Sequence, residues 1–244
     1  AHQWWGNILT PGRGPGGNIL AEGMANFSAA MLIDRIESPA KRKAAMRKFE
    51  DQYANGRKPD NERALHKVDN SRPGDTTVTY DRGGWVMWML KELMGEERML
   101  AGLRDFIERF KDGPDFPLVE DLVATLREHA EDVPAFDAFV AQWVYGTVVP
   151  EFKLEGVTSE KSGDGYVVRG SVHNIGTGSV AVDVAALQER DKPEGTRSLE
   201  SLLVGPGAAV PFEIRCAFPP SQVMVDPDVR VLQLGRKRAV EKVQ

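Results

Sequence analysis

Three residues of the chain have side chains that could act together in catalysis: His2, Glu22 and Tyr80. Imidazole and carboxylate groups are common protein ligands of catalytic zinc, which takes three of them and keeps a fourth position for water. A phenol can donate a hydrogen bond to a negatively charged oxygen that develops during a reaction. A single His, a single Glu or a Tyr at a helix start is more often a surface or packing residue, so the surrounding sequence has to decide.

Three short motifs surround these residues in a fixed order. Their sequences are Ala1-His2-Gln3-Trp4-Trp5-Gly6-Asn7, Leu20-Ala21-Glu22-Gly23-Met24-Ala25-Asn26 and Thr79-Tyr80-Asp81-Arg82-Gly83-Gly84. The first resembles the second half of a His-Glu-x-x-His zinc helix, the second resembles the helix that supplies a third zinc ligand, and the third resembles a Tyr-x-Lys-Gly segment. Together they are similar to the gluzincin zinc aminopeptidases, the family of alanyl and leucyl aminopeptidases and the leukotriene-hydrolysing enzyme. The chain resembles the later part of that catalytic domain, starting inside the zinc motif.

This resemblance implies a role for each of the three residues. His2 and Glu22 would be ligands of one zinc ion, and Tyr80 would donate a hydrogen bond to the developing oxyanion while a zinc-activated water attacks a peptide substrate. In the His-Glu-x-x-His pattern the first His is the remaining ligand and the Glu is the general base. Neither is among the 244 residues. We therefore expect the parent protein to be a metallo-aminopeptidase that removes N-terminal residues, and the chain alone to be inactive and to bind zinc weakly or not at all.

The connector between the first two motifs departs from the family pattern. Nineteen residues separate His2 from Glu22, and residues 10–17 read Thr-Pro-Gly-Arg-Gly-Pro-Gly-Gly. Proline and glycine exclude a regular helix there, and no Lys-Ser/Thr follows to make a phosphate-binding loop. A similar insert occurs in a bacterial branch whose peptidase-like domain is attached to a transporter-type membrane protein. The alternative function is therefore a non-catalytic, peptidase-like binding or scaffold domain associated with a membrane transporter.

Composition and charge exclude several other classes of function. The net charge of −5 gives no reason to expect nucleic acid or an anionic membrane as a partner. No apolar run reaches the roughly 18 residues that span a bilayer. The single cysteine, Cys216, excludes an internal disulfide. The compartment and the oligomeric state stay open.

The pattern of apolar residues divides the chain near Pro150. Before it, apolar residues recur every three or four positions and predict helices: Asn18–Ile36, Pro39–Gly56, a helix that follows Tyr80 and runs to Met94, Glu96–Lys111, Pro117–Ala130 and Pro134–Tyr145. Residues 57–77 are predicted to form an exposed loop that borders the cleft. We therefore predict that residues 1–150 are the helical part of a zinc-peptidase catalytic domain, a thermolysin-like half-domain.

After Pro150 the period changes from 3.6 to 2. Apolar residues alternate along three segments, around Val168, Val184 and Phe212, with turn signals such as Gly163-Asp164-Gly165 between them. Several short alternating strands predict an antiparallel sandwich. The fold class is therefore α then β, and residues 151–244 are predicted to form an immunoglobulin-like β-sandwich.

Overall fold

A computed structural model describes residues 3–112 and 115–243 of the chain. The chain divides into two compact units, Ala1–Thr147 and Val148–Gln244. The first is helical and the second is built from antiparallel sheets, so the predicted fold class is confirmed. No helix in the described part of the chain is both long enough and apolar enough to cross a membrane.

The helices of the first unit follow the apolar periodicity of the sequence. Their bounds are α1 Met24–Ile36, α2 Pro39–Gly56, α3 Asp75–Thr77, α4 Gly83–Met94, α5 Glu96–Phe110, α6 Val119–Glu128 and α7 Val133–Trp143. Two π-helical turns, Ile19–Gly23 and Val78–Arg82, lead directly into α1 and α4. Single-turn π-helices of this kind occur often at functional sites.

Side chains fix the starts of two of these helices. The hydroxyl of Ser38 accepts a hydrogen bond from the Lys41 amide at 3.2 Å and Pro39 occupies the first turn of α2. Asp132 accepts from the Ala135 amide at 2.9 Å at the start of α7. Both arrangements satisfy backbone donors that have no partner inside the helix.

The core of the first unit forms around α4. Trp85 and Trp88 are fully buried there, and the indole of Trp85 donates to the carbonyl of Met46 in α2 at 2.9 Å. The ammonium group of Lys91 and the guanidinium of Arg42 both lie over the Trp88 ring, 3.7 and 4.8 Å from its centroid. These two cation–π contacts, together with an ion pair from each cation to a carboxylate, allow both charged side chains to be buried in the core.

Two sequence predictions need correction in this unit. The helical segment that ends at Met94 begins before Tyr80, at Asp75, so Tyr80 lies inside its π-helical turn and α4 follows from Gly83. Residues 57–77 are not a fully exposed loop: they contain the short 3-10 turns Pro59–Asn61 and Leu65–Lys67, and Leu65 and Val68 are completely buried. Apolar residues scattered through a polar stretch gave no periodicity that would reveal this.

The second unit contains two antiparallel sheets. Its strands are β1 Phe152–Ser162, β2 Gly165–Asn174, β3 Val180–Leu187, β4 Arg197–Val204, β5 Ala209–Cys216, β6 Gln222–Val225 and β7 Val240–Lys242. One sheet has the order β1-β2-β5 and the other has the order β4-β3-β6-β7. Buried valines of both sheets, among them Val168 and Val184, build the core of this β-sandwich-like unit.

Buried polar residues hold two turns of the second unit. Asp226, with φ 51°, accepts from the amides of Arg230 at 2.8 Å and Val231 at 3.1 Å, and it pairs with Arg236 at 2.9 Å. Asn174 is fully buried and donates to the carbonyl of Gly178 at 2.9 Å. These contacts are structural, because each buried polar group needs a partner.

Candidate active site

Glu22 lies in the π-helical turn Ile19–Gly23 at the entrance of α1. Ile19 and Leu20 are fully buried, and Glu22 is only partly exposed. The apolar residues of this turn therefore fix its orientation, and the Oε2 oxygen of the Glu22 carboxylate is itself buried.

Tyr80 occupies the corresponding place on the other helical segment. It lies in the π-helical turn Val78–Arg82 that leads into α4 and is partly exposed, whereas Thr79 and Arg82 beside it are completely buried. The hydroxyl of Thr79 donates to the side-chain oxygen of Asn70 at 2.7 Å. The turn is thus fixed before Tyr80 by the hydrogen bond of Thr79 and after it by the burial of Arg82.

Glycines allow the two turns to approach each other closely. A Cβ on Gly23 would lie 3.0 Å from the carbonyl oxygen of Thr79, and a Cβ on Gly84 would lie 2.7 Å from the Cβ of Asn26. The amide of Asn26 also donates to the carbonyl of Tyr80 at 3.0 Å. The Gly-Met-Ala-Asn and Arg-Gly-Gly sequences therefore serve a packing function that brings α1 and α4 together.

This packing places the side chains of Glu22 and Tyr80 in contact. Burial raises the pKa of the Tyr80 hydroxyl above its ordinary value, and the hydrogen bond to Glu22 and the charge of Glu22 raise this pKa further. The phenol therefore keeps its proton at neutral pH and is a hydrogen-bond donor. Two of the three predicted site residues are brought together by the structure.

His2, the third predicted site residue, lies outside the described residues. The segment that follows it is anchored on α1, the helix that Glu22 precedes: Trp5 is 6% exposed, and its indole donates to the hydroxyl of Ser28 at 2.9 Å. The amide of Gly6 donates to the carbonyl of Leu9 at 2.9 Å, which closes the turn after Trp5.

The described residues do not form a complete metal site. Within residues 3–112 and 115–243, no group of three His, Cys, Asp or Glu side chains could hold a metal ion. The chemistry of Glu22 is suited to zinc, because a carboxylate oxygen is an accepted zinc ligand. Its position is also fixed, because it lies in a helical turn next to the Tyr80 hydroxyl. A metal bound by Glu22 would need further ligands from outside the described residues.

Arg82 has a structural role. It occupies the position at which the Tyr-x-Lys-Gly segment has Lys. Its side chain is fully buried and donates to the carbonyls of Trp143 at 3.0 Å and Gly146 at 3.1 Å. Its guanidinium lies 3.8 Å from the carboxylate of Glu62. Arg82 therefore ties the turn that carries Tyr80 to the end of α7.

Glu62 is the centre of this buried network. It accepts from the hydroxyl of Tyr53 at 2.6 Å and from Arg57 at 2.7 Å. Burial raises the pKa of Tyr53 and lowers the pKa of Arg82, because both groups are removed from water. The sequence showed no sign of this cluster, since Arg82 lies twenty residues after Glu62 and no local pattern links the two.

A cleft of about 810 Å³ opens beside Tyr80. Helix α1, helix α2 and the segment from Gly74 to Asp81 line it, and its side chains include those of Asn26, Lys48, Phe49, Gln52 and Asp81. Sequence reasoning missed Asn26 and Asp81 as cleft residues. The only sign of their role in the sequence was that both lie next to motif residues. Tertiary packing is what places both at the same cleft.

Comparisons with known proteins show the family and the fold of the chain. The model of the peptidase family M1 domain matches residues 1–143. A solved structure of Legionella pneumophila aminopeptidase A in complex with aspartic acid shares the fold with a TM-score of 0.60 at 18% identity, over 95% of this chain and 25% of that chain. The chain thus spans about a quarter of that relative's length. A comparison with curated proteins finds no match.

The family match covers more than half of the 244 residues and includes the Glu22 and Tyr80 motifs. The resemblance found in the sequence is confirmed: the chain belongs to peptidase family M1.

Proposed function

We propose that this chain is part of a zinc-dependent aminopeptidase, in which His2 and Glu22 are metal ligands and Tyr80 is the oxyanion donor. The missing His ligand and the general-base Glu are supplied by residues that are not among the 244. A zinc ion held there would supply an activated water and would polarise the scissile carbonyl.

One observation carries the proposal, the hydrogen bond between the Tyr80 hydroxyl and Glu22. The phenol is protonated and its ring sits in a rigid turn, so the hydroxyl is a preorganised donor. With Glu22 bound to a metal ion, the Tyr80 hydroxyl would be free to donate to a substrate oxygen that becomes negatively charged next to that ion. A donor that is fixed before reaction lowers the barrier by about 2.7–4 kcal/mol in comparable acyl-transfer sites.

The buried residues around the turn support this role. Arg82 and Thr79 hold the backbone on either side of Tyr80, and Asn26 fixes the Tyr80 carbonyl. A catalytic donor loses effect when it is displaced by as little as 1 Å. The network therefore has the rigidity that an oxyanion donor needs.

The test uses the full-length protein and one peptide in two forms. Hydrolysis of the first peptide bond should require a free N-terminal amine, should stop when zinc is chelated and should return when zinc is restored. The N-acetylated peptide should not be cleaved. A zinc-loaded protein that cleaves neither form, or a protein that takes up no zinc, would favour the binding or scaffold alternative.

A further inference from the structure

The cleft beside Tyr80 contains a buried carboxylate that the proposed reaction does not use. Asp81 is 6% exposed and lines the cleft, and the hydroxyl of Thr77 donates to one of its oxygens at 2.9 Å. Among residues 3–112 and 115–243, no cationic side chain pairs with Asp81. Burial of a charge is costly unless a cation or several donors compensate it.

The other surfaces of the cleft suit the rest of a basic side chain. The ring of Phe49 offers an apolar and cation–π surface, and the side-chain amides of Gln52 and Asn55 offer polar partners at the wall. The aliphatic stem of a lysine or arginine can lie on such a surface while its charged end reaches a carboxylate. The volume of about 810 Å³ falls within the roughly 300–1,000 Å³ of typical ligand sites.

Lys48 also lines the cleft, and its positive charge would repel a cation that Asp81 attracts. The side chain of Lys48 is exposed, whereas Asp81 is almost completely buried. Water and salt screen an exposed charge strongly and a buried charge much less. The attraction of Asp81 therefore outweighs the repulsion of Lys48 for a cationic group inside the cleft.

We infer that the cleft next to Tyr80 is a substrate subsite for a basic side chain, with Asp81 as its counter-charge, so that the enzyme prefers peptides carrying Lys or Arg close to the cleaved bond. This inference rests on the proposed function, because the cleft and the proposed oxyanion donor share Tyr80. A ligand cation would supply the partner that Asp81 does not find in the described residues. Asp81 is then a specificity-determining residue.

The experiment compares matched peptides on the full-length protein. Lys is set against norleucine, and Arg against citrulline, at each of the three positions after the N-terminal residue. At one position kcat/KM should be higher for the basic residue, and Asp81→Asn should lower this ratio by about tenfold to hundredfold, as expected for loss of a hydrogen bond to a charged group. Asp51→Asn, which removes an exposed charge from α2, should leave the ratio within about twofold, and Lys48→Ala should raise it.

Failure of this inference can be told apart from failure of the proposed function. If the protein cleaves peptides but shows no basic preference at any position, or keeps its preference in Asp81→Asn, the subsite is refuted and the peptidase activity stands. If no peptide is cleaved, the same peptides are titrated calorimetrically. Tighter binding of the basic peptides that is lost in Asp81→Asn supports the subsite, and equal binding of basic and neutral peptides overturns it. Thermal unfolding of each variant shows that the compared proteins are folded.

Discussion

The hydroxyl of Tyr80 is hydrogen-bonded to the carboxylate of Glu22, although the two residues belong to different helical segments of the chain. Each lies in a π-helical turn at the start of its helix, and glycines at the contact let the two turns meet without a Cβ between them. The contact therefore depends on the backbone as much as on the two side chains.

Removal of one hydroxyl tests the role of Tyr80. In the full-length protein, Tyr80→Phe should leave zinc content and thermal stability unchanged while kcat and kcat/KM fall together by about 10²–10³-fold, because the interaction is made in the transition state. Tyr166→Phe, the same change on β2 of the other unit, should leave both constants unchanged. A Tyr80→Phe enzyme that is fully loaded with zinc and within about threefold of wild type would remove Tyr80 from the mechanism.

The glycine contact predicts a steric effect on stability. Gly84→Ala should lower the free energy of unfolding by about 1–3 kcal/mol, since a Cβ there meets the Cβ of Asn26, which cannot rotate away. It should also reduce peptidase activity by moving Tyr80 relative to Glu22.

Gly102→Ala in α5 is the matched control for this change. Its added Cβ meets the end of the flexible Leu126 side chain, and alanine favours the helix by about 1 kcal/mol. Denaturant unfolding should show a change of less than about 1 kcal/mol for Gly102→Ala. Equal losses for the two variants would mean that the close approach at Gly84 does not limit the packing.

The buried network around Arg82 predicts a large loss of stability. Arg82→Met should lower the free energy of unfolding by about 3–5 kcal/mol, because it removes the donor to the carbonyls of Trp143 and Gly146 and one of the partners of the buried Glu62 carboxylate. Arg127→Met breaks an ion pair with Asp137 that is about half exposed, and should cost at most about 1 kcal/mol. If chemical denaturation gives similar values for both, the Arg82 network does not stabilise the fold.

The burial of Asp81 predicts a pH-dependent stability. Burial raises the pKa of this carboxyl above its ordinary value of 3.8, and the hydrogen bond from Thr77 opposes the shift only in part. The folded protein therefore holds this proton to a higher pH than the unfolded chain does. The stability that the proton contributes is fully present below the unfolded pKa and is lost as the pH rises through the folded pKa.

Asp81→Asn, which is neutral at every pH, does not suffer this loss. Its stability relative to wild type should rise as the pH is raised from about 3.8, the ordinary value of Asp81, toward neutrality. The measurement is the midpoint of thermal unfolding of both proteins across that interval. A difference that falls with increasing pH would show that the carboxylate is stabilised in the fold and would contradict the assigned direction.

Local patterns predicted much of the architecture. The helix predicted over Pro39–Gly56 has those bounds, since proline marks its first turn and glycine its end. The alternating segments around Val168, Val184 and Phe212 form β2, β3 and β5. Strand β1 was not predicted, because an irregularity between Glu155 and Thr158, with Gly156 at φ 62°, interrupts its alternation.

The site was predictable only in part, for a physical reason. The motifs singled out Glu22 and Tyr80 through resemblance, but no local pattern distinguishes a π-helical turn from an α-helical one. The contacts of Arg82 with Trp143 and the burial of Asp81 arise from packing between segments distant in sequence. Such contacts leave no periodicity, so sequence alone could not assign a structural role to Arg82 or a cleft position to Asp81.

The central claim is that Glu22 and Tyr80 are two parts of one zinc-peptidase site with different tasks. The most direct test measures zinc content and aminopeptidase activity on the same samples of full-length wild type, Glu22→Gln and Tyr80→Phe. Glu22→Gln should lose both zinc and activity, since an amide replaces the ligand carboxylate, whereas Tyr80→Phe should keep its zinc and lose turnover. A folded Glu22→Gln protein that retains full zinc and wild-type activity would contradict the account.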